Sequence, residues 1–232
     1  MTAELKGETM ANRLAYFVDI VLVIDSTASM RPVINRVKSQ ALQFHGKIMG
    51  RMEAKKKTIN RLRMRVVSFR DFWADREPIK AMPDFIDMKT DADQFDSFVN
   101  ELWADGGGDE PESGLEGLAL GIQSPWFKNP RSKKRNIVIL WTDATAHPLE
   151  RAKESMPPNY PENMPGNLDE LTDLWEELPV TSRRLLLYAP DTQPWNQIGY
   201  NWDQTIYFPS IAGDGLAEHD MDTILEAIAN SI

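Results

Sequence analysis

Apolar positions along the chain come in two textures. Unbroken runs occur at Val21–Ile24 and at Ile137–Trp141 within Asn136–Trp141, and consecutive apolar residues suit strands covered on both faces of a sheet. Between these runs Val33, Val37, Ala41, Phe44, Ile48 and Met52 recur at steps of three and four. That spacing predicts one long helix with a single apolar stripe, and Pro32 stands at an early position where its missing N–H costs little. The same period predicts helices over Asp91–Trp103, Leu115–Ile122, Leu168–Leu178 and Met221–Ile232, the last with Ile224, Leu225 and Ile228 facing inward. Arg63–Phe69, Arg184–Tyr188 and Thr205–Phe208 read as further strands, and Ile79–Met88 as a short strand that Pro83 restricts to an edge. Six strands alternating with helices predict an α/β fold, a doubly wound sheet with helices on both faces.

Candidate chemistry sits where the buried strands end. The first runs into Asp25-Ser26-Thr27-Ala28-Ser29-Met30, which places a carboxylate and two hydroxyls at alternate positions of a turn. In open α/β sheets ligands bind in the crevice at the carboxyl ends of the strands. Oxygen donors without nitrogen or sulfur suit a hard cation such as Mg²⁺, which takes an octahedron of oxygens at about 2.0–2.1 Å. The same residue types are also ordinary turn and helix-capping residues. A second stretch, Asp105-Gly-Gly-Gly-Asp109-Glu110-Pro111-Glu112-Ser113-Gly114, combines three glycines with acids. It lacks the lysine of a phosphate-binding loop, its acids would repel phosphate, and it lies between helical segments instead of following a strand. Asp143 directly follows the strand Asn136–Trp141, in Thr-Asp-Ala.

Other features carry simpler readings. The basic cluster from Arg51 to Arg65 reads as a solvated helix end whose cations complement the helix dipole. Arg70-Asp71 could line the crevice edge or form an ordinary ion pair. Residues 144–167 form a proline-rich loop long enough to wall the crevice, with His147 held by local hydrogen bonds. Trp195, Tyr200 and Trp202 read as core or loop anchors, and an exposed pair among them would suit a partner surface.

Composition narrows the function. The 232 residues suit one domain over 15–232 preceded by a loose arm over 1–14. A net charge of -9 argues against nucleic-acid binding, which depends on neutralising phosphates with Lys and Arg. No window approaches the roughly 18 apolar residues of a membrane span, and the polar N-terminus lacks a secretory apolar stretch, so a cytoplasmic protein is expected. Without cysteine, and with only three scattered histidines, neither disulfides nor a soft-metal cluster is available.

Asp25-Ser-Thr27-Ala-Ser29 resembles the D-x-S-x-S signature of von Willebrand factor A domains, with Thr27 keeping the first hydroxyl. The run GGGDEPESGLEGL is similar to the second metal loop of a bacterial subgroup that includes tellurite-resistance proteins and domains attached to alpha-type kinases. Asp143 corresponds to the aspartate of the third loop. The resemblance implies a mostly parallel sheet with one short antiparallel edge strand, and a metal-ion-dependent adhesion site. Mg²⁺ or Mn²⁺ would be held directly by Thr27 and Ser29, with Asp25, Asp109 and Asp143 binding directly or through water. Glu110, Glu112 and Ser113 stand as alternatives to Asp109. A Glu or Asp of a protein partner would complete the ion's coordination, which implies a non-catalytic interaction module in bacterial stress or defence signalling beside a kinase or phosphatase. The alternative is Mg²⁺-dependent phosphoryl transfer with Asp25 as nucleophile, although Thr27 occupies the place where such phosphatases carry a general acid.

Overall fold

Strand β1 (Ala15–Asp25) lies in the middle of the sheet and touches neighbours on both sides. The computed structural model describes residues 15–108, 110–129, 133–210, 226, 229 and 230. The arm expected over 1–14 and most of the final helix, with Ile224, Leu225 and Ile228, lie outside the described residues. On one side β1 pairs in parallel with β2 (Thr58–Phe69), and on the other with β5 (Lys133–Trp141). The parallel series continues through β6 (Arg183–Pro190) to β7 (Thr205–Ser210). The order β2-β1-β5-β6-β7 therefore reverses direction between β1 and β5, which is where a crevice opens at the carboxyl edge.

The sheet has seven strands instead of the expected six. Met82-Pro83-Asp84-Phe85 breaks the edge segment into β3 (Ile79–Ala81) and β4 (Ile86–Asp87), both antiparallel to β2. The proline cannot donate to a ladder, so one continuous edge strand is excluded.

Side-chain alternation along β1 divides two cores. Val18, Ile20, Leu22 and Ile24 face α1 (Ile34–Ala54) and α2 (Ala92–Asn100), while Val21 and Val23 face α3 (Gly114–Ile122). Helix α5 (Leu168–Glu176) completes the second layer with Leu171 and Trp175. Two short helices occupy segments read as loops: α4 (Arg151–Glu154) and α6 (Trp195–Asn201). Trp195 is fully buried and Trp202 stacks on Trp175, so both are anchors, whereas Tyr200 is exposed. A Cβ on Gly117 would stand 2.5 Å from the Phe69 ring, and one on Gly121 2.6 Å from Val23, so these glycines bring α3 close to the sheet. No helix among the described residues is long and apolar enough to cross a membrane.

The basic cluster also requires correction. Strand β2 begins at Thr58, five residues before the expected Arg63, so Arg61 joins Arg63 and Arg65 in the strand and the cluster is not one helix end. Arg63 donates from Nε and Nη2 to Asp19 at 2.8 and 2.6 Å, and the Phe127 N–H also donates to Asp19. Both side chains are largely buried, and the carboxylate beside Arg63 raises the pKa of its guanidinium. Removing one partner strands the other charge out of water. Asp19→Ala is expected to lower stability by about 3–5 kcal/mol in denaturant unfolding, much more than Asp87→Ala at the exposed Arg61 pair.

Helix α3 carries a second buried acid. Glu116 is fully buried, its Oε1 accepts from the Tyr160 hydroxyl at 3.0 Å, and its Oε2 has no partner. Burial pushes its carboxyl up to about 7. Because the folded pKa exceeds the unfolded one, this group's contribution is greatest below pH about 4.5 and is lost as pH rises to about 7. Glu116→Gln is expected to gain on wild type by about 3 kcal/mol between those pH values, measured by urea unfolding at each pH.

Candidate functional site

The carboxyl ends of β1 and β5 bring two acids together. Asp25 closes β1 and is fully buried; Thr142 and Asp143 follow β5 and are nearly so. Asp25 Oδ1 accepts from the Thr27 N–H at 2.9 Å and from Thr27 Oγ1 at 2.6 Å. Its Oδ2 accepts from Thr142 Oγ1 at 2.6 Å, a bond that ties the two strand ends to each other. Ser29 Oγ lies 3.0 Å from Thr27 Oγ1 and donates to Asp143 Oδ1 at 2.9 Å. Asp25, Thr27, Ser29 and Asp143 thus form one hydrogen-bonded group, buried at Asp25 and open to solvent at Ser29.

The local fold explains the convergence. After Asp25 the chain makes a tight 3-10 turn over Ala28–Met30 before α1, so Thr27 and Ser29 point to the same side as the strand-end carboxylate. The glycine loop closes over this turn: the Ala28 N–H donates to the Gly106 carbonyl, and the Asp105 N–H to the Ser26 carbonyl. Gly107 has φ +95, and a Cβ there would lie 2.5 Å from Glu112 Oε1 and 2.8 Å from Thr27 Cβ. Only glycine combines that backbone conformation with such a close approach.

The second loop delivers Glu112. Its backbone bridges to Ala146 of the third loop, with the Glu112 N–H donating to Thr145 and the His147 N–H to Glu112. The carboxylate is buried and Oε2 has no hydrogen-bond partner. Desolvation, followed by the negative charges of Asp25, Asp71, Asp75 and Asp143, pushes Glu112 up to about 9. Asp25 is raised to about 6 by burial, against the hydrogen bonds from Thr142 and Thr27, and Asp143 is raised by burial against its bond from Ser29.

Of the other second-loop residues, Asp109 lies outside the described residues and Glu110 is exposed. Ser113 is turned away: its Oγ accepts from the Phe72 N–H and donates to Asp71. Asp71 in turn accepts from the Trp73 N–H and lies 3.5 Å from His147 Nε2. Burial would raise Asp71, but the bonds from His147, Trp73 and Ser113 outweigh it and leave its pKa lowered. His147 is buried against Trp73, as expected of a loop imidazole held locally. Asp75 Oδ2 accepts the N–H groups of Asp71 and Gly107, and so supports the glycine loop from below.

Sequence reasoning missed Thr142, Asp75 and the bracing role of Gly107. Thr142 was visible only as the residue before Asp143 in Thr-Asp-Ala. Nothing local says that its hydroxyl reaches across to β1. Among the described residues no three His, Cys, Asp or Glu side chains assemble as a metal-holding group; the remaining donors at this site are hydroxyls.

Likeness to known proteins agrees with this layout. An alpha-protein kinase, vwkA, of Dictyostelium discoideum is 27% identical over 174 residues, covering 74% of this chain and 25% of the kinase. The chain thus spans about a quarter of that relative's length. Among solved structures, the pilus adhesin SpaC of Lactobacillus rhamnosus GG in its open conformation superposes with a TM-score of 0.54 at 12% identity, over 93% of this chain and 30% of SpaC. Proximal thread matrix protein 1 of the mussel byssus matches at 0.52 and 13%, over 94% of this chain and 49% of that one. A von Willebrand factor type A protein from Catenulispora acidiphila matches at 0.51 and 14%, over 93% and 42%. At such identities these three structures speak for the fold alone. A family model, von Willebrand factor A domain, matches residues 19–155, more than half of the chain and both strand-end loops of the site, and the protein belongs to the von Willebrand factor A domain family.

Proposed function

We propose that this domain is a non-catalytic, divalent-metal-dependent module that binds a carboxylate of a protein partner. Domains of this family generally serve as interaction modules. The observation that carries the metal reading is the convergence of Asp25, Thr27, Ser29 and Asp143 beside a buried, unpartnered Glu112 oxygen. Crowded acids raised by desolvation and mutual repulsion are the environment that a hard cation relieves. Thr27 and Ser29 would offer hydroxyl oxygens, and Asp25 and Asp143 carboxylates, directly or through water. In the second loop the buried Glu112 is a better-placed oxygen donor than the exposed Glu110 or Ser113, which turns to Asp71, with Asp109 the family-like alternative. Bound Mg²⁺ or Mn²⁺ would act as a Lewis acid for a partner's Glu or Asp side chain.

The chain's own residues then have distinct tasks. Thr142 and the Thr27 N–H hold the Asp25 carboxylate in one orientation, and Gly107 keeps the second loop against Thr27. Ser29 marks the solvent side from which a partner would approach. The likeness to an alpha-protein kinase supports a place beside a kinase, and a role in stress or defence signalling rests on the sequence resemblance alone. Phosphoryl transfer from Asp25 has weaker support, since both its oxygens are engaged and it is fully buried.

In EDTA-treated protein, Mg²⁺ or Mn²⁺ is expected to raise the melting temperature, with a gain of about 2.7 kcal/mol at a hundredfold excess over Kd. Asp25→Ala should abolish the gain while circular dichroism stays native. A flat response at millimolar metal would remove the metal reading, and turnover of p-nitrophenyl phosphate lost in Asp25→Ala would replace it with the enzyme. Gly107→Ala is expected to cost about 2 kcal/mol of stability from backbone strain alone, and to weaken the metal-induced shift. Calorimetry with and without metal reads both effects.

A further inference from the structure

Beside the acidic site lies a pocket of the opposite sign. A cavity of about 540 Å³ opens at the same carboxyl edge, between the ends of β2 and β3, and Ser26 lines it. Ser26 is the residue between Asp25 and Thr27, so the cavity begins about 3.8 Å along the chain from each of them. Its polar floor is a pair of buried hydroxyls: Ser68 donates to Ser26 Oγ at 2.8 Å, and Ser26 donates to the Phe69 carbonyl. Phe72, Pro78, Ile79 and Leu102 contribute apolar wall.

Three cations face this space against one lining acid, Glu77, in a chain whose net charge is -9. Arg70 is fixed by carbonyls, donating to Ser26 from Nε and to Trp103 from Nη2, and stacks at 5.4 Å over the Trp103 ring. Carbonyl acceptors orient a guanidinium without cancelling its charge. Arg76 is exposed and makes no ion pair among the described residues. Lys80 Nζ pairs with Glu101 at 3.0 Å, but Glu101 is 68% exposed and such a pair is weak. Trp103, at the rim, is 55% exposed.

A pocket whose three cations outnumber its lining acid Glu77, with Glu101 at Lys80 and Asp105 near Arg70 offsetting them in part, and with an exposed indole at its rim, defines its occupant by complementarity. We propose that the pocket is a second subsite for the same partner segment, receiving an acidic side chain and the apolar residue next to it while the metal takes the first acid. This rests on the metal reading above. The recognised chemistry is a short linear segment of a partner protein with two acids and an intervening or adjacent apolar residue. Ion pairing to Arg70, Arg76 and Lys80 selects the second acid, and Trp103 with Ile79 selects its apolar neighbour. A single acid would satisfy the metal but leave the pocket's charge unanswered, so the pocket supplies specificity that the metal lacks.

A phage library of random linear dodecapeptides, panned on the full chain in Mg²⁺, tests this, followed by binding of the enriched sequence as a fluorescein-labelled peptide. Wild type should enrich two acids within about four residues flanking an aromatic or aliphatic residue, a spacing that an extended chain covers at about 3.3 Å per residue. Arg76→Glu and Trp103→Ala, both at exposed positions, should lose the preference for the second acid and its apolar neighbour, keep that for a single acid, and weaken the labelled peptide about tenfold or more. Asp25→Ala, or EDTA, should erase the first acid and leave the second. Identical enrichment and affinity in Arg76→Glu and Trp103→Ala overturn the subsite alone. Enrichment indifferent to EDTA and Asp25→Ala overturns the metal reading and the two-point contact with it. Enrichment of basic or purely apolar peptides overturns the subsite as well.

Discussion

The bond from Thr142 Oγ1 to Asp25 Oδ2 joins the ends of the two central strands on either side of the point where strand order reverses, and the carboxyl edge of the sheet is arranged around it. A fully buried carboxylate is tolerable only if donors surround it. Asp25 obtains them from Thr27 and Thr142, one from its own turn and one from across the sheet. Once Asp25 is held in this way, the 3-10 turn that follows has little choice, and Ser29 is brought to Asp143. Two strand registers are thereby translated into the position of four oxygen-bearing side chains.

The second and third loops are locked to each other before either meets this group. The Glu112–Ala146 bridge makes them one unit, and the Trp195 Nε1–H donates to the Ala144 carbonyl from α6 beneath. Asp75 then clamps the glycine loop from the other side through the Gly107 N–H. Support of this kind keeps Glu112 buried near other acids, and burial first, then their charges, raise its carboxyl. The same edge changes sign within one residue: Asp25 faces acids, while Ser26 lines the pocket of Arg70, Arg76 and Lys80.

Likeness at the level of the sheet fits this division of labour. Structures at 12 to 14% identity share the fold over more than nine-tenths of this chain, because a parallel sheet between two helical layers asks only for apolar residues of suitable size. In such folds binding residues sit on the loops at strand ends, where this chain carries the Gly-Gly-Gly run and the acids of the second loop.

The chain by itself determined the alternation of strands and helices and the place of the strand-end oxygens, because hydrophobic periodicity and turn chemistry are local properties. Val21–Ile24 followed by Asp25, and Ile137–Trp141 followed by Asp143, were legible as buried strands ending in acids for that reason. Pro83 was legible as an edge signal, but whether one or two short strands resulted depended on pairing with β2. Arg63 was legible both in a basic run and as the start of a strand, but only the register of β1 against β2 set it opposite Asp19. Only the tertiary structure decided that Thr142 reaches Asp25, that Glu112 lies beside Gly107 while Ser113 turns to Asp71, and that Arg70, Arg76 and Lys80 border one cavity. Each of these depends on groups dozens of residues apart, brought together by strand order and loop bracing, and no spacing along the chain encodes that distance.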